Sequence, residues 1–482
     1  MSRINTNISS IIAQNNLAKS NNDLSTSLRR LSTGLRISRG ADDPAGLIVS
    51  ERLRTEIAGV DKSISNVERA SSVIATTEAA LQEINTLLTS IKGLIIEAAN
   101  TGAFSPEEIE ANQLQIDSAI DSITRISNTT SFAGLQLLNG SLDYVTSGVA
   151  ASAISDVSIF GANFGLEDSI PVSVEVLASA ETAQLFVSGA GATPAIQSNV
   201  TIEVRGLNGV EVFQLTSGQT FASVAQAINR SKDVTGVSAN VSGVNLVFSS
   251  VNYGSKSFVS VQKIPGQSSG GSFATLDAPD GTETLRDTGE DVLALINGSL
   301  AIGDGTKVGL RSSALQVELQ LTTDAATTLG THNFSINGGG ALYQIGQTVN
   351  ANQQVNFGIP SVAASRLGTA TTGFLSSIKT GGDNSLIAGR TREASDILDA
   401  SIDQITQLRG RLGAFERNTL QTTLRSQQIA LENLTASESQ IRDTDFAAET
   451  ANLTRAQILV QAGTSTLALA NSSAQSVLSL LG

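Results

Sequence analysis

Apolar residues recur every seven positions at both ends of this chain, and a chain that begins and ends with half of a coiled coil has to bring its termini together. Near the start Leu17, Leu24 and Leu31, with Leu28 and Leu35, form one stripe. At the other end Phe446, Leu453, Val460, Leu467, Ala474 and Leu481 form another. A seven-residue repeat of this kind is the seam along which one helix packs on a second. The positions between are mostly Asn, Gln, Ser, Thr and Ala, so burying either stripe returns less free energy than ordering its backbone costs. Neither end is expected to fold firmly alone, and each is the other's natural partner.

The first stripe stops in "RISRGADDPAGLIVSERL", Arg36 to Leu53. Gly34 and Gly40 are expected at a helix C-terminus, where a residue tolerant of positive φ is wanted. Asp43 followed by Pro44 reads as a cap with a proline at the first turn of the next helix, and Asp42 stands beside them in the same stretch. The stretch is then a hinge between an end that needs a partner and a helix that does not. An ordinary interhelical turn carries the same punctuation.

Beyond the hinge the step of seven continues through Val60, Val67, Ile74, Leu81, Leu88 and Ile95, with Ile57, Ile64, Ile84 and Ile91 as a second line. "SPEE" at 105–108 supplies a serine cap, a proline at the first helical position and a glutamate at the third, ahead of Ile109, Ile116, Ile120 and Ile123. Leu398, Ile405 and Leu412, then Leu420, Leu424, Leu431, Leu434 and Ile441, keep the pattern near the other end. These segments can form one bundle. From Ala150 to about Ala364 short alternating runs such as "VTIEVRG" and "ALQVELQLT", separated by Gly and Asn turns, read as a β-rich insertion. Its clearest helix is "TFASVAQAINRS", with Phe221, Val224, Ala225 and Ile228 on one face, and "GQSSGGS" at 266–272 reads as a link between two lobes. The expected fold class is α+β multidomain: long coiled-coil helices from both termini forming a helical bundle, with a β-rich inserted outer domain.

Acidic residues outnumber basic ones 44 to 30, a net charge of −14, and no Lys/Arg cluster reverses the field locally. Nucleic acid is therefore not an expected partner. There is no cysteine, and His332 is the only histidine, which removes thiol chemistry and multi-histidine metal sites. No apolar run approaches the ~18 residues of a membrane span, and the start lacks a secretory apolar core. Membrane insertion is not expected, while cytosolic residence and export without a signal peptide both stay open on composition. "GQSSG" at 266–270 matches the hydrolase elbow in letters but lies in a Gly/Ser run. "DAPDGTETLRDTGED" lacks the ligand spacing of a calcium loop, and "GDGTKVG" that of a phosphate loop. No enzyme activity, cofactor or metal is expected.

The segments "INTNISSIIAQNNL", "LSTGLRISRGADDPAGLIVSERL" and "SFAGLQLLNGS" at the start closely resemble bacterial flagellin. So do "RGRLGAFERNTL", "ENLTASESQIRDTDFAAETANLTRAQILVQAGTSTLALAN" and "SVLSLLG" at the end. In the middle "SGQTFASVAQAINRSKDVTGVSANVSGVNLVFSS" resembles the IN-type module that recurs in flagellins, hook-associated proteins and filament caps. The resemblance implies a structural subunit that self-polymerises into the flagellar filament. It implies a terminal coiled-coil domain lining an inner tube (1–44 and 447–482), a helical shell with a small hairpin region (45–149 and 365–446), and a β-rich outer domain (150–364, its module at 196–262).

Leu17, Leu24, Leu28, Leu31, Leu35, Phe446, Leu453, Val460, Leu467 and Leu481 would be the assembly seam, and Gly34, Gly40, Asp42, Asp43 and Pro44 its hinge. Further implied partners are an export chaperone on the C-terminal helix and the hook-associated junction and cap proteins. Implied localisation is the extracellular filament, reached without a cleaved signal peptide. An innate immune receptor docks on the first shell helix of many flagellins. At the matching segment here, "LTSIKGLIIEAAN", Leu94 is kept, Ser90 replaces an arginine, Gly93 an acidic residue and Glu97 a glutamine, so weak engagement is expected. A hook-filament junction protein, a flagellin with a hydrolytic outer domain and a generic coiled-coil adhesin are the alternatives.

Overall fold

The computed structural model describes residues 6–165, 167–189, 194–264, 273–279, 281–312 and 314–479. The described chain divides into two compact units. One holds the residues up to Ala70, Gln344–Val349 and those from Arg417 on; the other holds Ser71–Tyr343 and Asn350–Glu416.

In the first unit α1 (Ile8–Thr33) lies antiparallel to the last helix, α9 (Phe446–Ser479). Asn7 Nδ2 donates to Ala470 O at 3.0 Å and Ser10 Oγ to Asn471 Oδ1 at 2.8 Å, while at the far end Arg30 meets Glu449 at 3.6 Å. The pair approaches closely because Gly463 faces Leu17: a Cβ there would stand 3.2 Å from Leu17 Cδ1. α1 ends at Gly34, which adopts φ 71° and returns its N–H to Arg30 O at 2.8 Å. Gly40, expected in the same role, does not enter the left-handed region. Gly34 already stops the helix, and Gly40 lies in the turn that follows. α2 (Pro44–Ala99) starts at the proline, with Asp43 Oδ1 accepting from Gly46 N at 2.9 Å as its cap. α8 (Gln421–Arg442) returns beside the start of α2, where Arg442 pairs with Glu51 at 2.9 Å. None of the α8 side chains is buried, so Leu424, Leu431, Leu434 and Ile441 remain a half-covered stripe.

In the second unit α2 buries Ile74, Leu81, Ile84, Leu88, Ile91 and Ile95. α3 (Pro106–Thr129) begins with the reciprocal cap, Ser105 with Glu108, and buries Ile116, Ile120 and Ile123. α7 (Thr391–Phe415) runs antiparallel to α2, joined by Lys92 to Asp399, Arg409 to Glu78 at 2.7 Å and Ser71 Oγ to Glu416 Oε1 at 2.9 Å. Two glutamines tie the intervening loops to this helical body: Gln113 bonds the backbone of Ile378 and Leu386, and Gln404 bonds Gly368 in both directions. A five-residue π-helical segment, Glu416–Leu420, separates α7 from α8.

The β-rich region contains two cores. The module lobe packs α4 (Phe221–Arg230) with the short α5 (Lys232–Thr235) against the strands Gln184–Val187, Asn245–Ser250 and Val237–Ser242 and a four-stranded sheet; Phe221, Val224, Ala225 and Ile228 are all buried. The second lobe stacks a five-stranded sheet on a four-stranded one, with the short α6 (Thr323–Thr327) at its edge. Residues 265–272, and with them the expected link, lie outside the described residues. The chain on either side belongs to one lobe: Phe273 packs into the module core and Arg286–Thr288 pairs with Phe258–Lys263. The passage between lobes therefore comes later, at Gly289–Val292, because the first strand of the second lobe after it is Leu293–Ile296. Strand Leu315–Leu321 pairs with Ile154–Ala162, completing that lobe with residues from before the module.

Candidate assembly surface

On the α1–α9 pair Leu17, Leu24, Leu31 and Leu35 are half-buried, as are Leu453, Val460 and Leu467 across from them. Two of the proposed seam residues stand outside it, with Leu28 51% and Phe446 58% exposed. Phe446 is the first residue of α9 and lies beside Gly34. Leu481 lies outside the described residues.

A second apolar face points away from the seam. Ile8, Ile11 and Ile12 on α1, and Ile458, Leu459 and Leu469 on α9, are all about half exposed or more. The heptad count passes over these positions. For Ile11, Ile12, Ile458 and Leu459 the signal is the doubling of apolar residues in "SSIIAQ" and "AQILVQ", which puts an apolar side chain off the seam line.

The hinge is built around Asp42. Its Oδ2 accepts from the Ser38 amide at 3.1 Å, the Ser38 hydroxyl at 3.1 Å and the Arg39 amide at 3.0 Å, and its Oδ1 meets Arg29 at 3.0 Å. Burial opposes its ionisation, but the two amides, the hydroxyl and Arg29 together outweigh that and hold the carboxyl below its ordinary range. The N-terminal and C-terminal connections are bonded to each other: Arg36 N donates to Arg442 O at 2.7 Å and Thr444 N to Gly34 O at 2.9 Å, around a bridge between Leu35 and Asp443. α1 and α9 thus leave one shared joint.

On α2 Ser90 and Glu97 are exposed and Leu94 is half-buried, one face of the helix; a Cβ on Gly93 would meet nothing within 4 Å. The elbow-like "GQSSG" lies outside the described residues. His332 is half-buried on strand Gly330–Gly339. The acidic turn is structural: Asp277 accepts from Thr282 N at 2.7 Å, Asp287 from Gln184 N at 2.7 Å and Asp291 from Gly305 N at 2.7 Å. Among the described residues no three His, Cys, Asp or Glu side chains gather as a metal site, and no helix is long and apolar enough to cross a membrane.

One cluster gave no sequence signal. Arg411 of α7 sits 3.1 Å from the centroid of the Phe160 ring and 3.7 Å from Glu318. Burial pushes its guanidinium down to about 10 against the opposing pull of Glu318. Phe415 stacks on Phe357 and meets Tyr343. These side chains come from distant parts of the chain, so no local spacing reports them.

Three family models match: the bacterial flagellin N-terminal helical region at residues 4–143, the bacterial flagellin C-terminal helical region at 395–481, and the flagellin hook IN motif at 201–252. The B-type flagellin of Pseudomonas aeruginosa is 30% identical, with 99% of each chain covered. A flagellin of Salmonella muenchen is 28% identical over the same shares. Hook-associated protein-3 of Legionella pneumophila, a solved structure, is 13% identical, with 81% of this chain and 98% of that chain covered at a TM-score of 0.31. With the three family models and the full-length relatives in agreement, the chain belongs to the bacterial flagellins, the structural subunits that polymerise into the flagellar filament.

Proposed function

We propose that the α1–α9 pair is the polymerisation element of this subunit, lining the inner tube. In this reading residues 45–149 and 365–446 form the surrounding shell and 150–364 project outward. The observation that carries it is the second apolar face. Ile458 is 61% exposed on a helix whose opposite side is already paired, and apolar side chains left open on a thin two-helix element call for another subunit. Ile458→Asp tests it in seeded polymerisation. Wild-type subunits should extend the seeds and the variant should not, while both free subunits unfold at the same temperature. Normal extension by the variant would remove this face from the filament contact.

The role is structural rather than catalytic, and the subunit leaves the cell through the flagellar export channel without a cleaved signal peptide. A chaperone covers the C-terminal helix before export, since an amphipathic helix suits an apolar groove. Hook-associated junction and cap proteins meet the filament at its ends. An innate immune receptor engages the α2 face weakly. An arginine at an interface centre is typically worth ~2 kcal/mol or more, about thirtyfold in affinity, and Ser90 stands there instead. In receptor reporter cells wild type should signal weakly and Ser90→Arg more strongly. Strong wild-type signalling, or no gain from the arginine, would overturn this assignment.

A further inference from the structure

The five-stranded sheet of the second lobe buries one face, with Val172, Val174, Val176, Ala294, Ile296 and Phe334 in the core. Pairing fixes what shares the other face. Leu295 lies opposite Leu300 on one side and Glu175 on the other, and Glu175 opposite Thr331; side chains at paired positions point the same way. In the next row Leu177 falls at the irregularity where Leu293 meets Ala178, and Leu329 precedes Gly330, the partner of Val176. Leu177, Leu293, Leu300 and Leu329 are exposed, Leu300 by 64% and Leu329 by 70%, and Leu295 is half-buried. A solvated sheet face should alternate to polar residues. Its other end does so, with Ser147, Ser173, Asn333 and Ser335 beside an open groove.

We propose that this leucine end of the sheet docks against a second copy of the chain within the filament. The proposal rests on the filament assignment and adds an outer-lobe contact to it. Polymerisation repeats the same surface at fixed spacing, so the effective concentration of a second copy exceeds that of any free partner. Four exposed leucines present on the order of a few hundred Å², well below the ~800 Å² per partner that a stable pair of free molecules buries. The contact therefore forms only where the polymer already holds the copies. Charge points to the same occupant. Copies carrying a net charge of −14 repel one another, and this end of the sheet, with Glu175 as its one ionisable side chain among these positions, lets two of them touch without burying like charges.

Helical polymers use heterologous contacts, in which a patch meets a different surface of its neighbour. The test therefore reads burial rather than symmetric cross-linking. The chain has no cysteine, so single cysteines at Leu300→Cys and Leu329→Cys, with Asn333→Cys as control on the polar end of the same face, can be labelled with a maleimide in free subunits and in filaments grown on seeds. Labelling at both leucine positions should slow about tenfold or more on polymerisation, as expected of an interface interior, and change little at Asn333→Cys. Unchanged rates at the leucine positions, or equal slowing at Asn333→Cys, would overturn the contact. Sedimentation of the same samples reports assembly separately: no filaments at all would count against the filament assignment itself, whereas filaments with fast-labelled Leu300→Cys count against the patch alone. As a second measurement, Leu300→Lys with Leu329→Lys should lower the temperature at which filaments dissociate while free-subunit unfolding stays put; an unchanged filament temperature argues against the proposal.

Discussion

Asp42 concentrates the joint's polar bonds on one carboxylate, and this makes the joint sensitive to acid. Its folded pKa lies below its unfolded value, so the carboxylate contributes stability above the unfolded value of ~3.9 and loses it as pH falls through the lower folded value. Protection of the amides across residues 34–44, exchange measured relative to the intrinsic rate at each pH, should therefore fall in wild type only as pH drops below about 4. In Asp42→Asn that protection should be low already at neutral pH and should not change with acid in that window. A variant with wild-type exchange at neutral pH would show that the Ser38 and Arg39 amides do not depend on the charge. At this scale the sequence is legible where chemistry is local. The Ser105 cap, Asp43 with Pro44, and Gly34 all stand as their neighbours dictate. Gly40 misleads because a glycine permits positive φ without requiring it. Gly46 went unread although a Cβ there would lie 2.5 Å from Asp43 Oδ2 and 2.6 Å from Ile37 Cδ1, a constraint that exists only after the chain has turned.

At the scale of elements, periodicity located the long helices because a helix repeats its environment along itself, so the buried line of α2 is visible in a single segment. Strand partners have no such record. Leu315–Leu321 pairs with Ile154–Ala162 across the whole module, and the spacing of either strand is silent about the other. α8 shows a further limit: its stripe reads like that of α7, yet α7 buries Ile397, Leu398, Ile405, Leu408 and Leu412 while α8 buries nothing. Periodicity gives the face and not what covers it. For α9 the proposed cover before export is a chaperone groove, and a truncation ending at Glu449 removes the helix beyond its first turn. That truncation should lose chaperone binding by more than about a hundredfold, as expected when most of a helix-in-groove ligand is deleted. Binding with wild-type affinity would move the chaperone site elsewhere.

For the molecule as a whole, stability should be distributed unevenly between its parts. The α1–α9 pair buries Ser10, Ala13, Ser27, Ala456 and Glu449 among its described side chains, four small residues that return little free energy and a carboxylate paired with Arg30. The helical body of the second unit buries full isoleucines and leucines on α2, α3 and α7, and the β lobes have closed cores of their own. Segments with few buried apolar side chains open at low cost, so local unfolding of the terminal helices should precede loss of the rest. Limited proteolysis checks this by mass. In free subunits the first cuts should fall before about residue 40 and after about residue 447, leaving a resistant core. In filaments grown from the same protein those sites should be protected, because the second apolar face is then covered and opening costs the subunit contact as well. Termini that resist cleavage in the free subunit would mean that the pair is already stable alone, and assembly would then dock a finished element rather than complete one.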